Sequence, residues 1–393
     1  ETGFQFASVA EIFREHAAFS GIAGRFGRDF DISGLARITD QKYHDFAPQR
    51  WPVTAAREGG RFFADGQFFH PDGKARLLPV SWRPLAARTT RRYPFRLNTG
   101  RVRDQWHTMT RTGQSPRLSA HLAEPFLEIH PEDATASGIH PSDLVEVSSP
   151  TGVSILRARI TDAVQKGQVF APMHWTAETA PSARIDALIA AACDPVSGQP
   201  ESKAGVVDLR RFDAGWYGFA IAQKPMHLTA DYWALARTSH GFRAELAGRL
   251  QPDDWEAEAR RLFDAPTAVL TTIIDARRGS ARIAAHADGV LLGALFVSPT
   301  PVAIMRDYLV TLPGTRAAGA LTGRPAADAP NPGPTLCSCF GVGINTILEA
   351  IETRGLMSVE SIGEALGAGT NCGSCRPEIA ELLNNLLTRE AAE

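Results

Sequence analysis

The sequence is poor in lysine and cysteine, and it has no long apolar run. Only five of its 41 basic residues are lysines, and five cysteines in 393 residues are too few for a disulfide-rich secreted scaffold. No apolar run reaches the length of a membrane span, and no secretory segment is present. The net formal charge of −2 gives no electrostatic reason to expect nucleic acid or a membrane as a partner. We therefore expect a cytoplasmic globular protein.

An initiator methionine is also absent, since the chain begins with Glu1-Thr2-Gly3-Phe4. We interpret the chain as the C-terminal part of a longer protein. Its 393 residues are too many for one hydrophobic core and fit two to four domains.

Residues 1–89 do not have the pattern of an independent domain. One short amphipathic helix fits Ser8 to Phe19, and many Gly, Asp and Pro residues follow it. We expect this stretch to wrap the surface of a larger body.

Residues 90–212 change to short strands separated by turn signals. Leu144–Ser148 and Val153–Leu156 flank a Ser-Pro-Thr-Gly turn, which predicts a β-hairpin. Pro131 to Ser137 predicts one or two helical turns, and Gln168 to Met173 predicts another strand. The region is expected to form a small β-barrel with short helices.

Residues 213–322 predict an α+β spacer or docking domain without a catalytic cluster. The pattern indicates a three-stranded meander and two helices. The predicted segments are Val269–Ile274, Ala281–Ala285 and Val290–Val297 for the strands, and Trp255–Phe263 and Thr300–Leu309 for the helices. Residues 323–335, rich in Pro, Ala, Gly and Asp, predict a semi-stiff linker that tethers the next module with some freedom.

Four of the five cysteines lie beyond this linker in two close pairs. They are Cys337 and Cys339, then Cys372 and Cys375, with 32 residues between the pairs and no histidine among these residues. Such pairs supply the four thiolates of an iron–sulfur site or of a zinc site, and disulfides are the third alternative. Cys193 is far away in the sequence and is expected to be a small core residue.

Helical segments separate and follow the cysteine pairs. Isoleucines and leucines recur at helix spacing after Ile344, and Gly355 is expected to end that helix. Ser358 can cap a second helix that ends at Gly367, and Pro377 opens a third. The second cysteine pair is therefore expected at a helix N-terminus, which favours thiolates.

The residues around both pairs resemble the bacterioferritin-associated-ferredoxin type of [2Fe–2S] domain. The similarity covers Leu336 to Val342 and Gly367 to Pro377, and it implies a domain at 336–388. It also implies that the four paired cysteines ligate a [2Fe–2S] cluster, and the module is expected to be all-α.

A second candidate site is the segment from Leu97 to Arg111. A predicted strand runs into a glycine turn with two arginines, followed by amide, indole, imidazole and hydroxyl groups. Such a loop can bind anions and a large polar heterocycle, or it can be a polar surface loop. The residues alone leave both interpretations open.

The segment also resembles the molybdopterin-dinucleotide-binding domain of the dimethyl-sulfoxide-reductase superfamily, and in particular its nitrate reductases. Further similarity lies at 138–145, 169–175 and 194–203. The resemblance implies a double-psi β-barrel and a Mo-bis(molybdopterin guanine dinucleotide) cofactor. It implies cofactor contacts from six residues, which are Thr99, Gly100, Arg101, His107, Thr108 and Lys203. Asp186 replaces an asparagine that such nitrate reductases often have, so its role in pterin binding stays open.

A pterin barrel followed by a [2Fe–2S] module resembles the C-terminal part of assimilatory nitrate reductases, and 1–89 then corresponds to the end of their catalytic region. The implied partners are nitrate and an electron donor, either a flavoprotein reductase subunit or a ferredoxin or flavodoxin. No catalytic residue is assigned, and a [4Fe–4S] cluster is expected only upstream of Glu1, so this chain alone is not expected to reduce nitrate. Two alternatives remain, namely another molybdopterin oxidoreductase such as a formate dehydrogenase, and a non-catalytic electron-transfer or zinc-stapled protein.

Overall fold

The structure is a computed structural model that describes residues 3–79, 81–317, 319–326 and 331–390. The chain divides into two units, residues 1–83 and 84–393. Among the helices of the described ranges, none combines the length and the hydrophobicity needed to span a membrane.

The first unit contains two helices and a cluster of aromatic side chains. Helix α1 spans Val9–Gly24 and α2 spans Asp40–His44, with a 3₁₀ turn at Ser33–Leu35 between them. The predicted helix is confirmed, and Ser8 caps it by accepting a hydrogen bond from the Glu11 amide. Few side chains of this unit are buried, as expected for a segment without a core of its own.

The second unit begins with a closed six-stranded barrel, β1 to β6. Its strands are Phe95–Gly100, Phe126–Ile129, Leu144–Ser148, Val153–Ile160, Gln168–Pro172 and Gly205–Arg211. The order around the barrel is β1-β5-β2-β4-β3-β6, with β1/β5 and β2/β4 parallel. Two short helices interrupt it, α3 at Pro116–Ser119 and α4 at Pro131–Ala136. The predicted hairpin is confirmed as the antiparallel pair β3/β4.

The third region is a six-stranded antiparallel sheet, which is larger than the expected meander. Its strands β7 to β12 are Trp216–Ala222, Tyr232–Thr238, Gly241–Gly248, Val269–Asp275, Ser280–Ala287 and Val290–Ser298, in the order β10-β11-β12-β7-β9-β8. The last three are the predicted meander, and the first three were missed. Helix α5 at Trp255–Leu262 agrees with expectation, whereas the predicted helix at Thr300–Leu309 is limited to α6 at Arg306–Leu309.

A hydrogen bond from Tyr232 to Glu124 joins the barrel to this sheet, and each of the two domains contains a shielded ion pair of its own. The Tyr232 hydroxyl donates to Glu124 at 2.7 Å, and Arg157 donates to the same carboxylate at 2.7 Å. Within the sheet domain, Arg306 binds Glu245 at 2.6 Å. Burial alone would raise the pKa of Glu245, but the guanidinium of Arg306 outweighs it and lowers the pKa to about 2. The polar groups of Tyr232 and Glu124, which meet where the two domains contact, are therefore paired.

The last module has three helices and a short antiparallel pair of strands. Strands β13 and β14 span Thr335–Cys337 and Val342–Gly343, and helices α7, α8 and α9 span Ile344–Arg354, Val359–Leu366 and Arg376–Glu390. The module therefore contains a short pair of strands as well as helices, so the expectation of an all-α module is wrong. The predicted linker at 323–335 includes residues 327–330, which lie outside the described residues.

Candidate functional site

The predicted pterin loop leaves the barrel at the end of β1. Strand β1 carries Thr99 and Gly100 beside β5, and the loop that follows has positive φ at His107 (45°) and Met109 (59°). Non-glycine residues adopt this backbone region only when their surroundings enforce it. The loop is therefore held in a specific shape by its contacts.

The buried imidazole of His174 supplies those contacts. Its Nε2 accepts a hydrogen bond from the Val102 amide at 2.9 Å, and its Nδ1 lies 2.7 Å from the His107 carbonyl oxygen. The two partners require the neutral ring with its proton on Nδ1. Burial lowers the pKa of His174, and the charge of nearby Arg101 acts in the same direction, so the neutral form is favoured.

Three of the six predicted pterin-binding residues form one small cluster. The buried Thr99 donates its hydroxyl to the Ser202 carbonyl at 2.8 Å, and Lys203 Nζ donates to the Thr99 carbonyl at 2.7 Å. At Gly100 a Cβ atom would lie 2.8 Å from the Phe170 ring, so a larger residue does not fit without a shift. This cluster fixes the strand end from which the loop begins.

The other three predicted residues lie in the exposed part of the loop. Arg101, His107 and Thr108 are all exposed, and Thr108 Oγ1 lies 3.2 Å from Thr110 Oγ1. The structure therefore offers a cation, an imidazole and hydroxyls to solvent beside a fixed strand end.

The four predicted cluster ligands lie in the last module as two close pairs, which differ from their pairs in the sequence. Cys339 Sγ lies 3.3 Å from Cys372 Sγ, and Cys337 forms a side-chain contact with Cys375. Each close sulfur pair thus takes one residue from the β13–β14 hairpin and one from the segment before α9. Within the described part of the chain, no group of three or more His, Cys, Asp or Glu side chains is arranged to hold a single metal ion.

The two positions before α9 differ in environment. Hydrogen bonding by Ser374 lowers the pKa of the exposed Cys372 thiol. Burial, together with the neighbouring Cys337, raises the pKa of Cys375 to about 11. The helix N-terminus thus does not by itself ionise Cys375, and a bound cation is needed to displace its proton.

The pterin loop and the cysteine module line the same open cleft. It has a volume of about 1370 Å³, and it is lined from the barrel side by Arg101 and Gln105 and from the module side by Ser338, Cys339 and Cys372. Five arginines and two aspartates line the cleft, which gives it an excess of positive charge. They are Arg101, Arg103, Arg117, Arg237 and Arg243, with Asp104 and Asp307. Phosphate-bearing ligands suit such a surface.

Four residues that line this cleft carry a buried side-chain atom without a hydrogen-bond partner among the described residues. The atoms are Gln105 Oε1 on the pterin loop, Ser338 Oγ between the first two cysteines, Thr238 Oγ1 and Arg243 Nε. Buried polar groups are rarely left unpaired, and unpaired ones often face a ligand. An acceptor beside the loop suits an amino-bearing heterocycle, and a hydroxyl between two thiolates suits a cluster sulfur. The residues therefore fit both expected cofactors.

Sequence reasoning missed the residues that hold the site together. His174 lies in the segment at 169–175 that carries the resemblance, but its role depends on a fold that brings it to the loop. Arg103 and Asp104 lie in the loop itself, and their partners are distant in sequence. Cys193 was expected in the core, but it is exposed, so that expectation is wrong. Asp186 is exposed on a 3₁₀ turn at Ile185–Leu188.

Two family models match the chain. The model of the molybdopterin dinucleotide binding domain matches residues 95–206, which contain five of the six barrel strands and the start of β6. The model of the BFD-like [2Fe–2S] binding domain matches residues 335–385, which contain all four paired cysteines. The cofactors of this chain are accordingly a molybdopterin dinucleotide with molybdenum and a [2Fe–2S] cluster.

The chain is similar to nitrate reductases and to a formate dehydrogenase subunit. A nitrate reductase of Klebsiella oxytoca is 36% identical over 391 residues, which is 97% of this chain and 44% of that protein. The F420-dependent formate dehydrogenase subunit alpha of Methanocaldococcus jannaschii is 34% identical over 41% of this chain and 23% of its own length. The assimilatory nitrate reductase catalytic subunit of Bacillus subtilis is 32% identical over 52% of this chain and 28% of its own length.

The chain spans less than half the length of these relatives. Its similarity to the Klebsiella protein nevertheless extends over almost all of its own residues, beyond the two domains that the family models match. Almost all of the chain therefore aligns with part of a nitrate reductase, and the chain contains a molybdopterin-dinucleotide-binding domain and a BFD-like [2Fe–2S] domain.

Proposed function

We propose that this chain is the part of an assimilatory nitrate reductase that holds one side of the molybdenum cofactor and receives electrons from a partner protein. The reaction is the reduction of nitrate by two electrons and two protons to nitrite and water. The observation that carries the proposal is the cleft lined by both the pterin loop and two cluster cysteines. An enzyme that draws electrons from an external donor needs its accepting centre close to its substrate-reducing centre.

In the pterin site, Thr99, Gly100, Arg101, His107, Thr108 and Lys203 hold a bis(guanine dinucleotide) form of the cofactor. Arg101 extends from the loop into the cleft and can pair with a phosphate, which suits its guanidinium fork. Lys203 uses one proton on the Thr99 carbonyl and has two more donors for the ligand. The bound cofactor supplies the two-electron redox chemistry, and these residues orient it.

In the module, Cys337, Cys339, Cys372 and Cys375 ligate the [2Fe–2S] cluster. The proposal is supported by the two close sulfur pairs and by the unpaired Ser338 hydroxyl beside them. The exposed position of Cys372 supports the approach of a donor protein to this edge of the cluster. A flavoprotein reductase subunit, a ferredoxin or a flavodoxin is the class of donor we propose.

We also propose that the barrel has the double-psi topology. Its closed six-stranded order with two parallel pairs supports this assignment.

The experiment uses the full-length enzyme that contains this chain. We expect nitrate to be reduced with reduced methyl viologen and with a protein donor, and we expect Arg101→Ala to lower molybdenum and guanine-nucleotide content together. Deleting residues 336–388 should abolish the donor-driven rate and leave the dye-driven rate in place. Donor-driven turnover that survives this deletion would show that electrons enter elsewhere.

Formate oxidation is the second candidate function, because a formate dehydrogenase subunit is 34% identical over 41% of this chain. The same enzyme, assayed with formate and oxidised dye, distinguishes the two. Turnover of formate without turnover of nitrate would replace the first proposal by the second.

A further inference from the structure

Arg103 connects the pterin loop to the cysteine module. Its Nη1 donates to the carboxylate of Glu378, and its Nη2 donates to the carbonyl oxygen of Leu336. Leu336 immediately precedes Cys337, and Glu378 lies in the first turn of α9, three residues after Cys375. One guanidinium on the loop thus binds both chain segments that carry the cysteine pairs.

The guanidinium is itself fixed from the barrel side. Its Nε lies 3.2 Å from Asp104 Oδ2, and the same oxygen lies 2.7 Å from His121 Nδ1. Burial would raise the pKa of Asp104, but the hydrogen bond and charge of His121 and the charge of Arg103 outweigh it and lower the pKa. The carboxylate is therefore ionised near neutral pH and holds the guanidinium in one orientation. His121 Nε2 also lies 4.0 Å from Glu378, so the barrel faces this module carboxylate with a guanidinium and an imidazole.

These contacts fix the position of the pterin loop relative to the cysteine module. Charge-assisted hydrogen bonds are stronger than neutral ones, and the flat guanidinium fork restricts the angle between its partners. Arg103 is also largely shielded from water, with 16% of its side chain exposed. It lies two residues after Arg101, so any movement of its side chain relative to the module changes the separation between the pterin loop and the cysteines.

We propose that Arg103 is a positioning residue for internal electron transfer, which holds the cysteine module against the pterin loop across their shared cleft. The inference rests on the proposed function and deepens it. In each step one electron leaves the reduced [2Fe–2S] cluster, which is oxidised, and passes inward to the molybdenum cofactor, which is reduced. Two such steps and two protons convert nitrate into nitrite and water. Without the guanidinium, the two halves of the cleft are held less closely, and transfer slows because its rate falls steeply with distance.

The test follows the cluster in the full-length holoenzyme. The enzyme is reduced with dithionite, freed of excess reductant and mixed with nitrate, and the reoxidation of the cluster is followed by its visible absorption. We expect Arg103→Ala to slow this reoxidation about tenfold, since a charge-assisted contact is lost. Steady-state turnover with reduced methyl viologen is measured in the same variant, so that slower electron transfer from the cluster is distinguished from a change at the molybdenum site. Arg210→Ala, which removes an exposed arginine of the same barrel with 77% of its side chain exposed, should change neither rate.

Further variants separate positioning from folding. Arg103→Lys keeps the charge but loses the fork, so its rate should lie between those of the parent enzyme and Arg103→Ala. Glu378→Gln alters only the module side of the contact and should slow reoxidation without changing molybdenum content. The double variant Arg103→Ala/Glu378→Ala should be no slower than Arg103→Ala alone, because the two residues act through one contact.

The outcomes discriminate between this inference and the proposed function. If nitrate does not reoxidise the cluster of the parent enzyme, the proposed function is overturned, and the inference with it. If nitrate reoxidises the cluster of the parent enzyme at the same rate as in Arg103→Ala and Glu378→Gln, the proposed role of Arg103 is overturned. The proposed function then still stands. If Arg103→Ala loses molybdenum, the Glu378→Gln variant becomes the decisive test. Reoxidation at the parent rate in Glu378→Gln would then show that Arg103 supports only the pterin loop and does not position the module.

Discussion

The pterin loop and the cysteine module face the same cleft, but they are stabilised in different ways. The loop extends from a closed barrel whose core contains large aliphatic side chains such as Leu97 and Leu127, and His174 binds it from within. The module has a small core of its own, and two of its buried residues are the proposed ligands Cys337 and Cys375. A core that includes the metal ligands is completed by the metal. The loop should therefore keep its shape without cofactor, whereas the module should depend on its cluster.

The largest effect is expected from Cys375→Ser. The substitution removes a ligand and leaves a hydroxyl in a buried site, so we expect loss of the [2Fe–2S] signal in electron paramagnetic resonance and of module stability. Proteolysis should then cut within 335–390 while the barrel stays intact. Cys193→Ser is the matched control, because that thiol is free and exposed. A module that resists protease without its cluster would remove the contrast between the two regions.

A smaller effect on the other region is expected from His174→Ala. The variant leaves the Val102 amide and the His107 carbonyl without their buried partner, and each unsatisfied group costs about 1–3 kcal/mol. Molybdenum and guanine-nucleotide content should fall about tenfold or more, while the cluster signal stays. His140→Ala, at a side chain that is 74% exposed, should have no such effect. Equal loss of both cofactors would indicate general unfolding instead.

The pH dependence of the loop follows from the same histidine. The folded-state pKa of His174 is lowered below its ordinary value of 6.5, so the imidazole is neutral in both states above pH 6.5. The unfolded loop binds the extra proton first as the pH falls through 6.5, and the stabilisation is then progressively lost. We expect pterin retention, measured by gel filtration at several pH values, to decline below pH 6.5 and to be flatter in His174→Ala. A decline of equal slope in both would assign the effect to another group.

The smallest effect is expected from Ser338→Ala. A hydroxyl that donates to a cluster sulfur stabilises the more negative, reduced cluster. Its removal should lower the midpoint potential by about 20–60 mV without loss of the cluster. Redox titration monitored by electron paramagnetic resonance measures the shift, with the exposed Thr353→Ala as control. An unchanged potential would mean that Ser338 does not contact the cluster.

The local signals of the cysteine module predicted its helices well. Gly355 and Gly367 end α7 and α8 with positive φ, and Ser358 caps α8 by accepting a hydrogen bond from Ser361. These signals act within a few residues, so they can be found in the sequence. The short β13–β14 pair was missed because two or three residues per strand give no periodicity.

The sheet domain shows where such signals fail. Strand β7 reads Trp-Tyr-Gly-Phe-Ala-Ile-Ala and is buried along its whole length, so it has no alternation. Strand β9 is rich in alanine and carries Glu245 inward, which is unusual for a strand and is stabilised here by Arg306. Both strands depend on neighbours that come from elsewhere in the chain. The exposed Cys193 was misplaced for the same reason, since its burial depends on packing rather than on residue type.

The sequence by itself determined the two cofactor motifs, the helices of the module and most strands of the barrel, because each depends on contacts between residues close in the chain. Only the tertiary structure decided that Cys339 pairs with Cys372, that His174 holds the pterin loop and that Arg103 binds the module. Those contacts join residues separated by 33, 72 and 275 positions. The order of residue types along the chain does not give the spatial distance between positions so far apart. The packing of the domains therefore decides that the two cofactor sites lie at one cleft.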